Sequence, residues 1–297
     1  MAELFVGIDG GGTGCRVAVA DRQGRILGRG KGGAANILSA PDASLANMID
    51  ATRQAFAAAG LDQSSIAAAS ALLGLAGNNV GDAVHYIRAK LPFRQAAIES
   101  DALIALQGAL GHGDGIVGTL GTGSVYVLRR AKAIRFVGGW GFAVGDLGSG
   151  ARLGQALLQE SLLGYDGICA RTPLLDEVLA EFGGDPGGIV EFGRAASPGD
   201  FGRYAPRLFD HARQGDATAL RLIGEGAGQV SAALDACLRH LGDENGAIYL
   251  LGGLAKAYDP YLAERHRARL VLPQADALTG AVALAVQRFA LPMGDAA

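Results

Sequence analysis

The strongest constraint in this chain is a turn made of an acid, three glycines and a hydroxyl. Residues 4–21 read LFVGIDGGGTGCRVAVAD, where Asp9-Gly10-Gly11-Gly12-Thr13 separates two apolar, β-branched runs. Glycine loses more backbone freedom on ordering than any other residue. Three in succession, between a carboxylate and a hydroxyl, exceed what chain reversal requires. Residues 4–9 read as one strand. Residues 14–20 read as a second, alternating Cys15, Val17 and Val19 with Arg16, Ala18 and Ala20. Asp21-Arg22-Gln23-Gly24 is turn chemistry, and residues 25–30 return as a third strand.

The same plan recurs in GIVGTLGTGSVYVLRRAKAIRFVGGWG, residues 115–141. Strand 116–120 leads into Gly121-Thr122-Gly123-Ser124, followed by strands 125–129 and 134–137. Only the turn chemistry is shared, so this is a repeat of architecture and predicts two related halves. Elsewhere the pattern predicts strands over 67–75, 96–100 and 247–251. Helices are predicted over 43–59, 82–90, 102–110, 155–163, 174–182, 217–241 and 277–289. Strands alternating with helices indicate an α/β class, and 297 residues exceed what a single core usually absorbs.

Composition removes several classes. Apolar residues at 49% and charged residues at 19% describe a folded chain. The net charge of -3, with scattered lysine and arginine, offers no basic stripe for nucleic acid. No apolar run reaches the roughly 18 residues of a membrane-spanning helix. The start, MAELFVGIDG, lacks the basic region and cleavage site of a secretory signal. Cys15, Cys169 and Cys237 are dispersed, with no CxxC pair, so reduced thiols and a cytoplasmic location are expected. The five histidines show no ligand spacing.

Glycines at a hairpin tip let backbone amides approach a ligand, and successive amides cradle anions. Thr13 adds a hydroxyl. Asp9 would repel a bare phosphate, but Mg²⁺ between the two removes the conflict, since magnesium favours one or two carboxylates plus water and phosphate oxygens. The second turn has donors and no acid. Other phosphate motifs are absent: the one Gly-Lys pair, Gly30-Lys31, is followed by Gly32, and a strand, not the helix of a dinucleotide fold, follows the first glycines.

At this point four segments carry a resemblance. DGGGTGCRVAVAD and GTLGTGS are similar to the two phosphate motifs of the actin-like ATPase and sugar-kinase superfamily. YLLGGLAKAY, residues 249–258, resembles its adenosine motif. GGWGFAVGDLGSGARLG, residues 138–154, resembles the segment peculiar to the N-acetylglucosamine and glucosamine kinases. Order and spacing match nearly end to end. The resemblance implies a two-domain actin-like (ribonuclease H-like) α/β fold, with duplicated mixed sheets and a cleft between domains. Residues 1–110 plus 277–297 would form one domain and 111–276 the other. It implies ATP and Mg²⁺ as cofactors and phosphorylation of the 6-hydroxyl of N-acetylglucosamine, with glucosamine as the alternative substrate. It also implies a homodimer, and no nucleic-acid or membrane partner.

Carried onto residues, the resemblance makes Asp101 the catalytic base; on its own, Asp101 before a predicted helix reads as an N-cap. Asp146 becomes the acid that accepts sugar hydroxyls, Asn36 a sugar contact, and Gly139 and Trp140 part of the sugar pocket. Gly11, Gly12, Thr13, Gly121, Thr122, Gly123 and Ser124 would hold phosphates, Gly252 and Gly253 adenosine, and Asp9 the metal through water. The glycines of Ile223-Gly224-Glu225-Gly226-Ala227-Gly228 read either as a flat surface for adenosine or as helix packing. Glu99 and Lys256 read equally as site neighbours or as solvated charges. Two other classes keep a place: an iron–sulfur ATPase activator, which needs cysteine ligands, and a non-catalytic sugar sensor.

Overall fold

A computed structural model describes residues 3–38, 40–77 and 82–290. Strands β1 (Phe5–Gly10), β2 (Cys15–Ala20) and β3 (Ile26–Gly32) form the first meander. Then follow α1 (Pro41–Ala58), β4 (Ser70–Leu75), α2 (Ala83–Lys90), β5 (Gln95–Ser100) and α3 (Asp101–Leu110). The second meander is β6 (Gly115–Leu120), β7 (Ser124–Arg130) and β8 (Ala133–Gly138). After it come α4 (Gly150–Tyr165), α5 (Pro173–Glu181), α6 (Pro186–Ala195), α7 (Pro198–Gly202), α8 (Ala205–Arg213) and α9 (Ala217–Leu241). The chain ends with β9 (Ile248–Leu251), α10 (Ala255–Tyr258), α11 (Glu264–Arg267) and α12 (Ala277–Phe289).

The chain divides into two compact units. One comprises the residues before Asp114 together with the stretch that begins at Leu272; the other is Asp114–Val271. The first unit's sheet has the order β3-β2-β1-β4-β5 and the second unit's the order β8-β7-β6-β9. In each, the first strand is antiparallel to the second and parallel to the strand on its other side. The repeat read from the two turns is therefore a repeat of topology.

The alternation in β2 decides which helix lies on which face. Cys15, Val17 and Val19 join Met48, Ala51, Ala55 and Phe56 of α1 in one core. Ala18 and Ala20, on the opposite face, meet Leu278 and Val282 of α12. Small residues there let α12 lie close: a methyl on Gly7 of β1 would stand 2.7 Å from the Val282 backbone nitrogen. Helix α12 also crosses α3 with glycine against backbone, and a methyl on Gly280 or Gly108 would overlap the facing chain.

Three differences from the sequence reading have physical causes. The run 67–75 is not all strand: Asp62 accepts the Ser64 amide and caps a 3-10 turn over Gln63–Ala68, so β4 starts at Ser70. Helix α4 starts at Gly150, not 155, because Ser149 caps it through the Arg152 amide. Helix α6 was not predicted; its sequence PGGIVEFGRA carries three glycines, each costing about 1 kcal/mol relative to alanine. Its packing against α4 outweighs that local preference.

The topology places the loops that matter. Strands β1, β4 and β5 are parallel, and their last residues Gly10, Leu75 and Ser100 are in register. The turn after Gly10 and residue Asp101 thus leave the sheet at one edge, its carboxyl end, where open α/β sheets bind ligands. In the second unit β6 and β9 are parallel, with Thr119 opposite Leu251. That brings the turn after Leu120 beside Gly252.

Candidate active site

In the first unit Asp9, Arg16, Asp101 and Asp276 gather on one face. Asp9 lies two residues beyond Gly7 on the side of β1 that faces α12. Arg16 is its register partner on β2. The Arg16 Nε donates to Asp9 Oδ2 at 3.1 Å, and its Nη2 donates to the same oxygen. Its Nη1 donates to Asp276 Oδ2 at 3.2 Å. Asp276 in turn caps α12, accepting the Thr279 amide and hydroxyl.

Asp101 is the first residue of α3 but not its cap. Ser100 takes that role: its Oγ accepts the Leu103 amide at 3.1 Å. Asp101 Oδ1 accepts the amide of its neighbour Ala102 at 2.8 Å. Burial pushes the Asp101 carboxyl above the usual carboxylate range; the Ala102 amide opposes this and the charge of Asp9 adds to it. A carboxyl raised by burial beside a second acid is the state expected of a proton acceptor.

The first turn is bare. Gly11 N–H donates to Gly14 C=O at 3.0 Å. None of Gly10, Gly11, Gly12 or Gly14 has a left-handed φ, so the turn does not need glycine for its conformation. A methyl on Gly12 would meet nothing within 4 Å, and Thr13 is exposed. What Gly11 and Gly12 supply is open backbone, whereas Gly10 is packed, a methyl there standing 2.7 Å from Leu75 Cδ2. Next to them, Ala35 N–H bonds Gly11 C=O at 2.9 Å and Ala76 N–H bonds Gly10 C=O at 2.9 Å. Asn36, half-buried, turns this loop by accepting the Leu38 amide on Oδ1 at 3.1 Å. That places Asn36 beside the first turn and explains its shape as a turn residue.

In the second unit the turn Gly121–Ser124 is held from several sides. Gly150 N–H donates to Gly121 C=O at 2.8 Å, and Ala151 N–H to Thr122 C=O at 3.1 Å. Leu254 N–H, just past Gly252-Gly253, donates to Leu120 C=O at 3.1 Å. Ser124 Oγ donates to Leu147 C=O at 2.8 Å. Asp146 stands in the left-handed region at φ 54°, a conformation that non-glycine residues adopt at a cost. Burial raises its carboxyl pKa; the amides of Ser124 and Gly141, which it accepts, and the charge of Arg152 oppose the rise. A methyl on Gly123 would sit 2.8 Å from Asp146 Oδ2. The turn and the acid are one packed object.

The loop before Asp146 is anchored by Phe142, stacked on Phe201 at 5.3 Å. Gly139, at φ 73°, donates to Ser124 C=O at 3.2 Å. Trp140 is 79% exposed, so this single tryptophan is not a core residue. Gly252 is at φ 92°, and Gly253 faces open space. On α9, Gly224 and Gly228 also face open space, whereas Gly226 faces the Tyr258 hydroxyl. The packing reading holds at Gly226, while Gly224 and Gly228 are unobstructed. Lys256 is exposed. Glu99 is paired with Arg288 of α12 at 2.6 Å.

Sequence reasoning missed Ser100, Arg16, Gln229 and Tyr258. Arg16 was findable from hairpin register, which sets it opposite Asp9. Tyr258 had no local signal, because its hydroxyl acts on Gly148, far away in the chain.

Two α/β units with one strand order, each opening on a hairpin whose glycine turn lies at the edge of its sheet, define an actin-like ATPase fold. The chain belongs to the BadF/BadG/BcrA/BcrD ATPase family, whose model matches residues 6–285. It is 36% identical to a glucosamine kinase from Vibrio cholerae over 282 residues, 95% of each chain. It is 24% identical to an N-acetyl-D-glucosamine kinase from Dictyostelium discoideum over 276 residues, 81% of each. A solved candidate N-acetylglucosamine kinase from Chromobacterium violaceum superposes with a TM-score of 0.88 at 31% identity, covering 96% of this chain and 99% of that one. Among the described residues no helix is long and apolar enough to cross a membrane.

Proposed function

We propose that this chain is an ATP-dependent amino-sugar kinase that phosphorylates the 6-hydroxyl of N-acetylglucosamine, giving N-acetylglucosamine 6-phosphate and ADP. Glucosamine is the alternative acceptor. The observation that carries the reading is Asp101, a carboxyl relieved of helix capping by Ser100 and held at the sheet edge with a raised pKa. The near full-length likeness to a glucosamine kinase supports the reaction class. Two features favour the N-acetylated sugar. One is the likeness to the Chromobacterium protein. The other is the loop over 138–148, which exposes Trp140, Val144 and Leu147, apolar surface suited to an acetyl group.

In this reading Asp101 takes the proton of the 6-hydroxyl as its oxygen bonds the γ-phosphorus and the bond to the ADP oxygen breaks. Such a loose transition state needs positioning and charge stabilisation more than covalent help. The turn backbone at Gly11 and Gly12 with Thr13, and Gly121, Thr122, Gly123 and Ser124, hold phosphate oxygens. Gly252 and Gly253 face adenosine. Asn36, Gly139, Trp140 and Asp146 contact the sugar, and Asp101 is its fifth contact through the reacting hydroxyl. Magnesium fits the residues present: Arg16 occupies Asp9 Oδ2, so one carboxylate offers its other oxygen to a cation that keeps its water and phosphate ligands. When bound, the metal supplies charge neutralisation between phosphate and acid.

An iron–sulfur activator is disfavoured because Cys15 and Cys237 are buried, and burial pushes the Cys237 thiol up to about 12. The protein works as a cytoplasmic homodimer in this reading, which light scattering tests. The deciding experiment is a coupled ADP-release assay with MgATP and N-acetylglucosamine, glucosamine or glucose, with Asp101→Asn alongside. Turnover of one amino sugar, lost in the variant, is expected. A folded, ATP-binding protein without sugar-dependent turnover overturns the reading.

A further inference from the structure

Gly148, two residues after Asp146, is gripped on both its backbone groups. Its N–H donates to Gln229 Oε1 of α9 at 2.8 Å. Its C=O accepts the hydroxyl of Tyr258, the last residue of α10, at 2.8 Å. The residue is at φ 72°, and a methyl on it would stand 2.7 Å from Val230 Cγ2 and 2.9 Å from Gly226 C=O. Tyr258 is fully buried, edge-on to Phe209 at 5.3 Å. Its hydroxyl reaches Gly148 through a lane that only glycine at 226 leaves open, since a methyl there would overlap it.

These bonds close a ring. The end of β6 is tied to Leu254, which precedes α10; the turn after β6 is tied to residues 147, 150 and 151; and Tyr258 ties α10 back to Gly148. The segment holding Gly252-Gly253, the turn 121–124 and the loop holding Asp146 are thus one hydrogen-bonded circuit. Cutting it at Tyr258 leaves each segment in place but removes the direct link between the first and the last.

We propose that Tyr258 and Gln229 are positioning residues that couple nucleotide binding at Gly252-Gly253 to sugar binding by the Asp146 loop. This rests on the kinase reading above. Because coupling between two ligands is reciprocal, it is measured from either side.

The test is calorimetric titration of the full chain with whichever amino sugar it turns over, with and without Mg²⁺ and a non-hydrolysable ATP analogue. In the native protein the sugar binds more tightly when the nucleotide is present. In Tyr258→Phe that gain is expected to fall by roughly five-fold, the scale of one buried hydrogen bond. The sugar KM rises to match, and kcat at saturation of both substrates stays within about two-fold. Gly226→Ala reproduces the effect and adds nothing to Tyr258→Phe in the double variant. Gln229→Leu weakens the coupling and Gln229→Glu, which keeps the acceptor oxygen, restores it. Should Tyr258→Phe not fold, the Gln229 pair decides. Native protein without coupling, or variants that keep it, or a loss confined to kcat, overturns the proposal while leaving the kinase reading intact; absence of sugar turnover in the native protein overturns the kinase reading instead.

Discussion

The two glycine turns occupy the same place in the same topology, yet they are supported in opposite ways. The first, after β1, is closed by one internal bond, and its carbonyls are met by the loops after β3 and β4. Around it stand charges: Asp9, Arg16, Asp276 and, at the edge of the same sheet, Asp101. The second, after β6, stands beside the single acid Asp146, and bonds from three other chain segments hold it. In the proposed reading the duplicated architecture is divided between chemistry and alignment. There the first turn stays open beside the reacting groups. The second is fixed by the loops that are proposed to contact sugar and adenosine.

The largest expected effect breaks the charged side. Asp101→Asn should lower kcat by about 10²–10⁴-fold, the usual worth of a positioned proton acceptor, as read by ADP release. It should also make the protein more stable. A carboxyl whose folded pKa is raised contributes most stability below its unfolded pKa and loses it as pH rises through the folded value. Asparagine carries no such cost, so its advantage in Tm should grow from acid to neutral pH, each kcal/mol being worth about 2–4 °C in a chain of this size. Equal Tm at all pH values would contradict the burial argument.

Next, one substitution in each turn separates openness from packing. Gly12→Ala meets nothing, so Tm should hold while the KM for MgATP rises about ten-fold through a blocked approach to the amides. Gly123→Ala meets Asp146 Oδ2 at 2.8 Å. It should lower Tm, with a cost of about 1–3 kcal/mol for overpacking, and raise the KM values of sugar and nucleotide together. Identical behaviour of the two variants would erase the distinction.

A smaller effect is expected at Arg16. Arg16→Gln removes the cation beside Asp9, so the acid's charge acts on Asp101 unopposed. The groups facing this cluster are Asp9 on β1, Arg16 on β2, Arg29 on β3, Asp101 on α3 and Asp276 at the cap of α12. The acidic limb of the kcat/KM profile should move upward, because Asp101 must lose its proton to work. A limb that stays in place would show that Arg16 only ties β2 to α12. The smallest effect is at Glu99→Gln, whose pair with Arg288 is half-exposed. Chemical denaturation should register less than about 1 kcal/mol, with activity unchanged.

How far the site was legible depends on what each residue needs. The open turn at 10–13 was legible because three glycines exceed the conformational demand of a turn, and none of the three takes a left-handed φ. Helices α9 and α12 were readable end to end from local pattern, with Asp216 and Asp276 as their caps. Asp101 was ambiguous in isolation, since an aspartate before a helix serves equally as a cap; the bond from Leu103 to Ser100 settles which residue caps. Helices α6 and α8 were not readable, one for its glycines and the other because it is short and bounded by tight turns.

The sequence by itself determined the α/β class, the duplicated meander and the two glycine turns, because strand alternation and turn chemistry act over a few neighbouring residues. Tertiary structure alone decided that Arg16 grips Asp9, that Glu99 belongs to Arg288, and that Gly226 clears a lane for the Tyr258 hydroxyl to reach Gly148. These relations join residues distant in the chain. Their partners are fixed by sheet register and helix packing, which no local pattern encodes.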